Sequence, residues 1–261
     1  MIFNRVYPLP DDESVWLDCY VADPLRNYTR KAILVLPGGG YAGVCSDREG
    51  EPIALAFLPY GFNAFVLNYT TGRKKPYPAQ LIEACAAVKY IRSHADELNV
   101  DPQKIFATGF SAGGHLCASL GIFWNRPEVT SVLGDPAGYK PNGIMPVYAV
   151  ISSDPAFIQK DTLFNLLCKD EPTQEELDYV SPEKHVTEDA APLFMVHTSD
   201  DPVVDIRHAL CLGAAYKRVG LPFELHVYPF GPHGVALGNA ITAFGNPGWD
   251  DPEVAKWVAQ A

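Results

Sequence analysis

Apolar runs that alternate with amphipathic helical stretches predict an α/β fold, with a mostly parallel central sheet and helices on both faces. The connections between those runs are roughly 15 to 40 residues long, which suits parallel crossovers and not hairpins. Of the 261 residues, 48% are hydrophobic and 20% charged, so a full core is available and a disordered chain is excluded. The length suits one large domain, and the expectation is a single domain over 1–261.

The elements follow in order. Residues 15–21 read as an early strand, and 32–36 (AILVL) as a buried one that stops at Pro37-Gly38-Gly39-Gly40. Residues 49–60 are weakly helical, and 63–68 (NAFVLN) form the next buried strand. Leu81, Ala84, Cys85, Val88, Ile91, Ala95 and Leu98 recur at three- and four-residue intervals with charges between them, the signature of a helix over 81–98. A strand over 104–108 and a helix over 112–124 come next, then a strand over 144–151. Residues 152–191 break the rhythm as a polar, proline-punctuated insertion with helical pieces near 162–168 and 174–179. Its Phe157, Phe164, Leu166 and Leu167 either form a partial lid or pack onto the body of the domain. The sheet resumes at 193–198, followed by a helix over 203–219, a strand over 223–228 and a last helix around 252–259.

Charge and cysteine usage narrow the function classes. Twenty Lys and Arg stand against 31 Asp and Glu, a formal net charge of −11 that repels phosphate backbones and anionic lipid. The one basic run, Arg73-Lys74-Lys75, is too short for a nucleic-acid footprint. No stretch resembles a signal-peptide core or a membrane span, so the expectation is a cytoplasmic protein with neither nucleic-acid nor membrane partners. The six cysteines are dispersed without metal-type spacing and read as reduced packing residues; no metal and no cofactor is expected. N-x-T sequons at Asn27 and Asn68 read as chance occurrences. Homo-oligomerisation is left open.

Four segments carry chemistry. Gly109-Phe110-Ser111-Ala112-Gly113 lies where a strand gives way to a helix, the position a G-x-S-x-G nucleophile elbow requires. Ser111 then projects from a strained turn, with free N–H groups at the helix start behind it. Gly38, Gly39 and Gly40 follow a buried strand and let backbone N–H groups approach a ligand; Gly39 and Gly40, with Ala112, suit an oxyanion hole. Gly38, Gly40 and Gly43 also satisfy G-x-G-x-x-G, but the next strand ends in Asn68-Tyr69 without the carboxylate a dinucleotide ribose needs. Asp200-Asp201-Pro202 leaves a late strand, where an acid that orients a histidine belongs; Asp201 is favoured, with Asp200 as a turn or cap residue. His233, between Pro232 and Gly234 beyond the last strand, has no apolar face to pack on and suits a general base. His94, His185 and His208 read as solvent-facing, His197 and His226 as core or edge residues, and His115, on the first turn after the elbow, as a packing residue ahead of a support for the pocket.

The order Ser111, Asp201, His233, each following a strand, resembles the α/β-hydrolase superfamily across nearly the whole chain. LVLPGGGY (34–41), GFSAGGHL (109–116), HTSDDPVV (197–204) and PFELHVYPFGPHG (222–234) are most similar to small bacterial acetyl esterases of the acetylxylan-esterase-like and feruloyl-esterase-like group. Pro37 stands where hormone-sensitive-lipase-like relatives carry histidine, which favours the acetyl-esterase branch. Phe230-Gly231-Pro232 departs from the small residues expected before the histidine. The resemblance implies a serine carboxylesterase acting on short acyl esters, such as acetyl groups on sugars or xylo-oligosaccharides. It also implies Ser111 as nucleophile, Asp201 as acid, His233 as base, and Gly39, Gly40 and Ala112 as oxyanion donors. A peptidase, dienelactone hydrolase or formamidase would use the same constellation, and a non-catalytic ligand-binding homologue would share the scaffold.

Overall fold

The computed structural model describes residues 1–26 and 28–261, so the sequon at Asn27 lies outside the described residues. Eight strands form one sheet in the order β1-β2-β4-β3-β5-β6-β7-β8. They are β1 (Ile2–Val6), β2 (Trp16–Val21), β3 (Arg30–Leu36), β4 (Phe62–Asn68), β5 (Val100–Phe110), β6 (Gly143–Val147), β7 (Leu193–Thr198) and β8 (Phe223–Tyr228). The first two pairings, β1 with β2 and β2 with β4, are antiparallel, and every other pairing is parallel. Among the described residues, ten α-helices connect or follow the strands: α1 (Ser46–Glu49), α2 (Glu51–Phe57), α3 (Ala79–Ser93), α4 (Ala112–Phe123), α5 (Pro127–Leu133), α6 (Lys160–Leu167), α7 (Gln174–Tyr179), α8 (Arg207–Arg218), α9 (Ala240–Ala243) and α10 (Trp257–Gln260).

The two-residue period of the strands divides the core in two. Ala32, Leu34 and Leu36 of β3 belong to the core layer that includes α3, α4 and α8, whereas Ile33 and Val35 belong to the layer that includes Phe57 of α2 and Trp257 of α10. Because both faces are covered, the central strands read as unbroken apolar runs. The same burial misleads about where strands end. The strand expected over 144–151 stops at Val147, since Tyr148 adopts φ +36° and the chain turns across the sheet edge, still buried, with Val150 N–H donating to Ser111 O.

Other boundaries shift for local reasons. The helix expected over 81–98 ends at Ser93, and Ala95 and Leu98 keep the buried pattern through a turn instead. The weak helix at 49–60 is α2 followed by a 3-10 turn (Leu58–Tyr60), and α1 precedes it across Gly50, where a Cβ would lie 2.6 Å from Ser46 O. The helix expected from 203 starts at Arg207, because Asp201 Oδ1 takes the amides of Val203 and Val204 into a turn. The last helix is a 3-10 turn (Val254–Lys256) followed by α10. In the insertion, α6 and α7 bury Leu163, Leu166 and Leu177 in the main core, while Phe164 and Leu167 pack against it. All six cysteines are free, but Cys45, Cys168 and Cys211 are only partly buried.

His208 corrects the sequence reading most clearly: it is fully buried, and His94 and His185 are half-buried. Its Nδ1 accepts the amides of Ile151 and Ser152, both at 2.9 Å, and its Nε2–H donates to Phe157 O at 3.1 Å. The ring thereby stitches the start of the insertion to α8, a position that hydropathy patterning does not mark. Burial lowers the imidazole from 6.5 to about 4, so the folded chain keeps it neutral where the unfolded chain takes up a proton. The stability gained is complete above pH 6.5 and is lost as pH falls towards 4, on the order of 3 kcal/mol at most. His208→Asn keeps an acceptor for the two amides but does not titrate. Thermal melts should therefore show the wild-type advantage over H208N shrinking steadily between pH 7.5 and 4.5. Buried His115, also lowered to about 4, titrates alike in both proteins.

Candidate active site

The loops that leave β3, β5, β7 and β8 meet at the carboxyl edge of the sheet, where ligand clefts of open α/β sheets form. Ser111 sits between β5 and α4 with φ +54° and ψ −115°, a conformation that costs a non-glycine residue of order 1–3 kcal/mol. The flanking glycines make that turn sterically feasible. A Cβ on Gly109 would lie 2.1 Å from Gly113 O, and one on Gly113 would lie 2.0 Å from Leu36 O. Ser111 N–H donates to Val147 O at 3.1 Å, which ties the turn to β6.

His233 reaches both neighbours. Its Nε2 is 2.8 Å from Ser111 Oγ, and its Nδ1 is 2.7 Å from Asp201 Oδ2. The Asp201 side chain is fully shielded from solvent. Burial alone would raise its carboxyl; the hydrogen bonds from His197 and His233, the charge of His233 and the Val204 amide outweigh that and hold it well below the usual carboxylate range. Asp201 therefore stays ionised beside the imidazole. Asp200 does a different job. It is exposed, and its Oδ1 accepts the Gly231 amide at 2.8 Å while Thr198 donates to Gly231 O at 2.7 Å, so the pair anchors the His233 loop to the end of β7. Gly231 is required there, since its φ is +152° and a Cβ would meet Thr198 at 2.6 Å.

Gly39 and Gly40 line the same cavity of about 220 Å³ as Ser111 and His233, together with Cys45, Arg48, Glu49, Gln159, Thr162, Val203 and Val204. Gly39 has φ +128°, and a Cβ would lie 2.4 Å from Gly43 O, so the loop closes on itself only with glycine. Ala112 is the first residue of α4, so its amide is among those with no partner inside the helix, at the positive end of the helix dipole. All six residues singled out in the sequence are thus gathered at one rim. Thr162 and Gln159 show that the insertion contributes one wall of the cavity while α6 is anchored in the core.

Three neighbours support the site, of which sequence reasoning placed only His115 near the chemistry. His197 is buried, with Nε2 2.8 Å from Val204 O and 3.6 Å from Asp201 Oδ2. His115 does more than pack: Tyr41 O–H donates to its Nδ1 at 2.9 Å and its Nε2–H donates to Val180 O at 2.7 Å, which fixes the glycine loop and the insertion to α4. Glu49 is buried beneath the cavity and accepts the Gly38 amide at 2.7 Å. The only signal for it was a carboxylate at the inward edge of a short helix. Among the described residues, no cluster of three or more His, Cys, Asp or Glu is arranged to hold a metal ion.

Comparison with known proteins bears on this geometry. The sequence profile of the BD-FAE family matches residues 17–215. The chain is 37% identical over 218 residues to endo-1,4-beta-xylanase B of Butyrivibrio fibrisolvens, covering 80% of this chain and 33% of that protein. It is 26% identical over 234 residues to acetylxylan esterase of Xylanibacter ruminicola, covering 88% and 45%. It thus spans between a third and a half of the length of these curated relatives. Among solved structures, an acetyl ester-xyloside bifunctional hydrolase from Caldicellulosiruptor lactoaceticus superposes with TM-score 0.80 at 32% identity, covering 94% of this chain and 85% of the other. MGS-M1, an α/β hydrolase from a Medee basin deep-sea metagenome library, gives TM-score 0.80 at 30% identity, covering 100% and 94%. With the profile matching residues 17–215 and TM-scores of 0.80 to these structures, the chain belongs to the BD-FAE family and has the α/β-hydrolase fold.

Proposed function

We propose that the chain is a serine carboxylesterase that hydrolyses short acyl esters, with acetyl groups on xylo-oligosaccharides as the natural class of substrate. The observation that carries this reading is the continuous hydrogen-bonded line from Ser111 Oγ through His233 to ionised Asp201, beside a small cavity lined in part by Gly39 and Gly40. The sugar ester enters from the relatives, two of which are named for acetylxylan and for acetyl ester-xyloside hydrolysis.

The chemistry follows from the atoms present. His233 Nε2 takes the Ser111 hydroxyl proton as Oγ bonds to the ester carbonyl carbon, and the carbonyl π electrons move to oxygen. The amides of Gly39, Gly40 and Ala112 stabilise that oxyanion. Asp201 fixes the Nδ1–H tautomer and stabilises the imidazolium. The oxyanion collapses, the bond to the alcohol oxygen breaks, and Nε2–H protonates the departing alcohol. Water then repeats the sequence on the acyl-serine and releases the acid. A cavity of about 220 Å³ lies below the range of roughly 300–1,000 Å³ common for drug-sized ligands, which suits a short acyl chain.

Turnover of p-nitrophenyl esters should fall by at least about tenfold in kcat/KM from acetate to octanoate, and acetylated xylo-oligosaccharides should release acetate. Ser111→Ala should lower kcat on p-nitrophenyl acetate by about 10⁶-fold, abolish labelling by a fluorophosphonate probe and leave the melting temperature nearly unchanged. Persistent turnover or labelling in S111A would remove Ser111 from the reaction.

The two adjacent aspartates separate cleanly. Asp201→Asn should lower kcat by about 10⁴-fold, because an amide stabilises the wrong tautomer and carries no charge. Asp200→Asn keeps an acceptor for the Gly231 amide and should stay within about tenfold of wild type. Steady-state kinetics of the two variants side by side check this, and the reverse order would move the acid to Asp200.

A further inference from the structure

Backbone built from consecutive glycines is the least constrained in a protein, yet oxyanion donors act only if they are held in place before the substrate arrives. Something must therefore brace the Gly38–Gly40 loop. Gly38 N–H donates to Glu49 Oε2 at 2.7 Å, and a Cβ on Gly38 would lie 2.7 Å from that same oxygen and 3.1 Å from Ser111 Cβ. Gly38 is thus wedged between the carboxylate and the elbow. The other carboxylate oxygen, Oε1, accepts the Tyr148 hydroxyl at 2.9 Å, and the Tyr148 oxygen accepts the Ala236 amide at 3.1 Å. The Tyr148 ring stands edge-on to the His233 ring, with centroids 5.1 Å apart and planes at 68°.

One buried carboxylate therefore touches the loop after β3 and, through a single hydroxyl, the residue after β6 and the segment following His233. Burial disfavours the charge on Glu49 and pushes its carboxyl above the usual range, and the neighbouring Arg48 guanidinium, the Gly38 amide and the Tyr148 hydroxyl offset part of that cost. Arg48 itself lies 3.7 Å from Oε1 and is held over the Trp249 ring at 4.4 Å. A bare carboxylate near an oxyanion would oppose it. Here each oxygen is already capped by a donor and the charge has a cationic neighbour, so the brace does not compete with the reaction.

We propose that Glu49 is a positioning residue for acyl transfer at Ser111: it clamps the Gly38 amide so that Gly39 and Gly40 face the cavity, and through Tyr148 it steadies the seat of His233. This inference rests on the esterase reading. A purely scaffolding acid in the same place would affect stability and the active fraction; a clamp on the oxyanion loop affects the tetrahedral species more than the bound ester.

The test compares Glu49→Ala, Glu49→Gln and Tyr148→Phe on p-nitrophenyl acetate. Active sites are counted by fluorophosphonate titration, and a short-chain alkyl trifluoromethyl ketone serves as the tetrahedral probe, with S111A as control. Its carbonyl carbon bonds to Ser111 Oγ, the serine proton passes to His233, and the resulting oxyanion needs the same amides. E49A should lose about 10- to 100-fold in kcat per titrated site with KM within about threefold, and ketone affinity should fall by a matching factor. Gln retains an oxygen for the Gly38 amide but reverses the bond to Tyr148, whose hydroxyl proton then loses its acceptor, so E49Q should recover much of the E49A loss and lie within about tenfold of wild type. Should E49A fail to fold, Y148F carries the test, with about a tenfold loss of kcat and parallel loss of ketone affinity expected. Unchanged kcat per titrated site, a loss of kcat without loss of ketone affinity, or an E49Q as impaired as E49A would overturn the proposal. Activity surviving in S111A would instead overturn the esterase reading beneath it.

Discussion

The close approach of Gly109 to Gly113, and of Gly113 to the end of β3, is the constraint on which the site is built. A Cβ on either glycine would fall about 2 Å from a carbonyl oxygen, well inside any tolerable contact, so α4 can begin directly over the sheet only with glycine at both positions. That packing sets Ser111 at φ +54°, in a conformation it would not choose alone, and places its hydroxyl above the strand ends. It also brings the first amides of α4 next to the glycine loop after β3. The positions proposed for the nucleophile and the oxyanion donors thus derive from one steric arrangement. The strain at Ser111 is offset by Ser111 N–H to Val147 O and by the carbonyl of Ser111, which accepts both His115 and Val150 amides.

Around that fixed point, charge is managed by burial and pairing. Asp201 is shielded from solvent yet remains ionised because two imidazoles and two backbone amides surround it. Its neighbour Asp200 faces solvent and spends an oxygen on the Gly231 amide. Two identical side chains, adjacent in sequence, thus take different partners in the turn that follows β7. One then meets the imidazole and the other the backbone that carries it.

This contrast marks what a sequence can disclose. The parallel core strands, the elbow and the order serine, aspartate, histidine were legible because each leaves a local mark: an apolar run of set length, glycines around a serine, a polar loop after a strand. The apolar run 144–151 overstated its strand because burial persists while the backbone turns at Tyr148, and hydropathy reads only burial. His208 was misread because its two amide donors lie over fifty residues upstream. β1 went unnoticed: it is an exposed edge strand, and Ile2–Val6 carries no buried pattern. Glu49 was invisible for the same reason as His208, since its partners Gly38 and Tyr148 come from different crossovers.

The polar groups that tie the loops of the site together share a placement. His115, Glu49, His208 and Asp201 are all buried, and each holds together segments that follow different strands. Apolar packing stacks helices on the sheet but is non-directional, so it leaves the loops at the strand ends free to slide by an ångström. A shift of that size is enough to misplace an oxyanion donor. Buried polar groups with every partner supplied are costly to rearrange, because any loop that moves leaves an unpaired donor or acceptor behind. The rim of this sheet is accordingly where the fold exchanges hydrophobic packing for directional bonds, and that exchange gives four loops from distant parts of the chain one geometry.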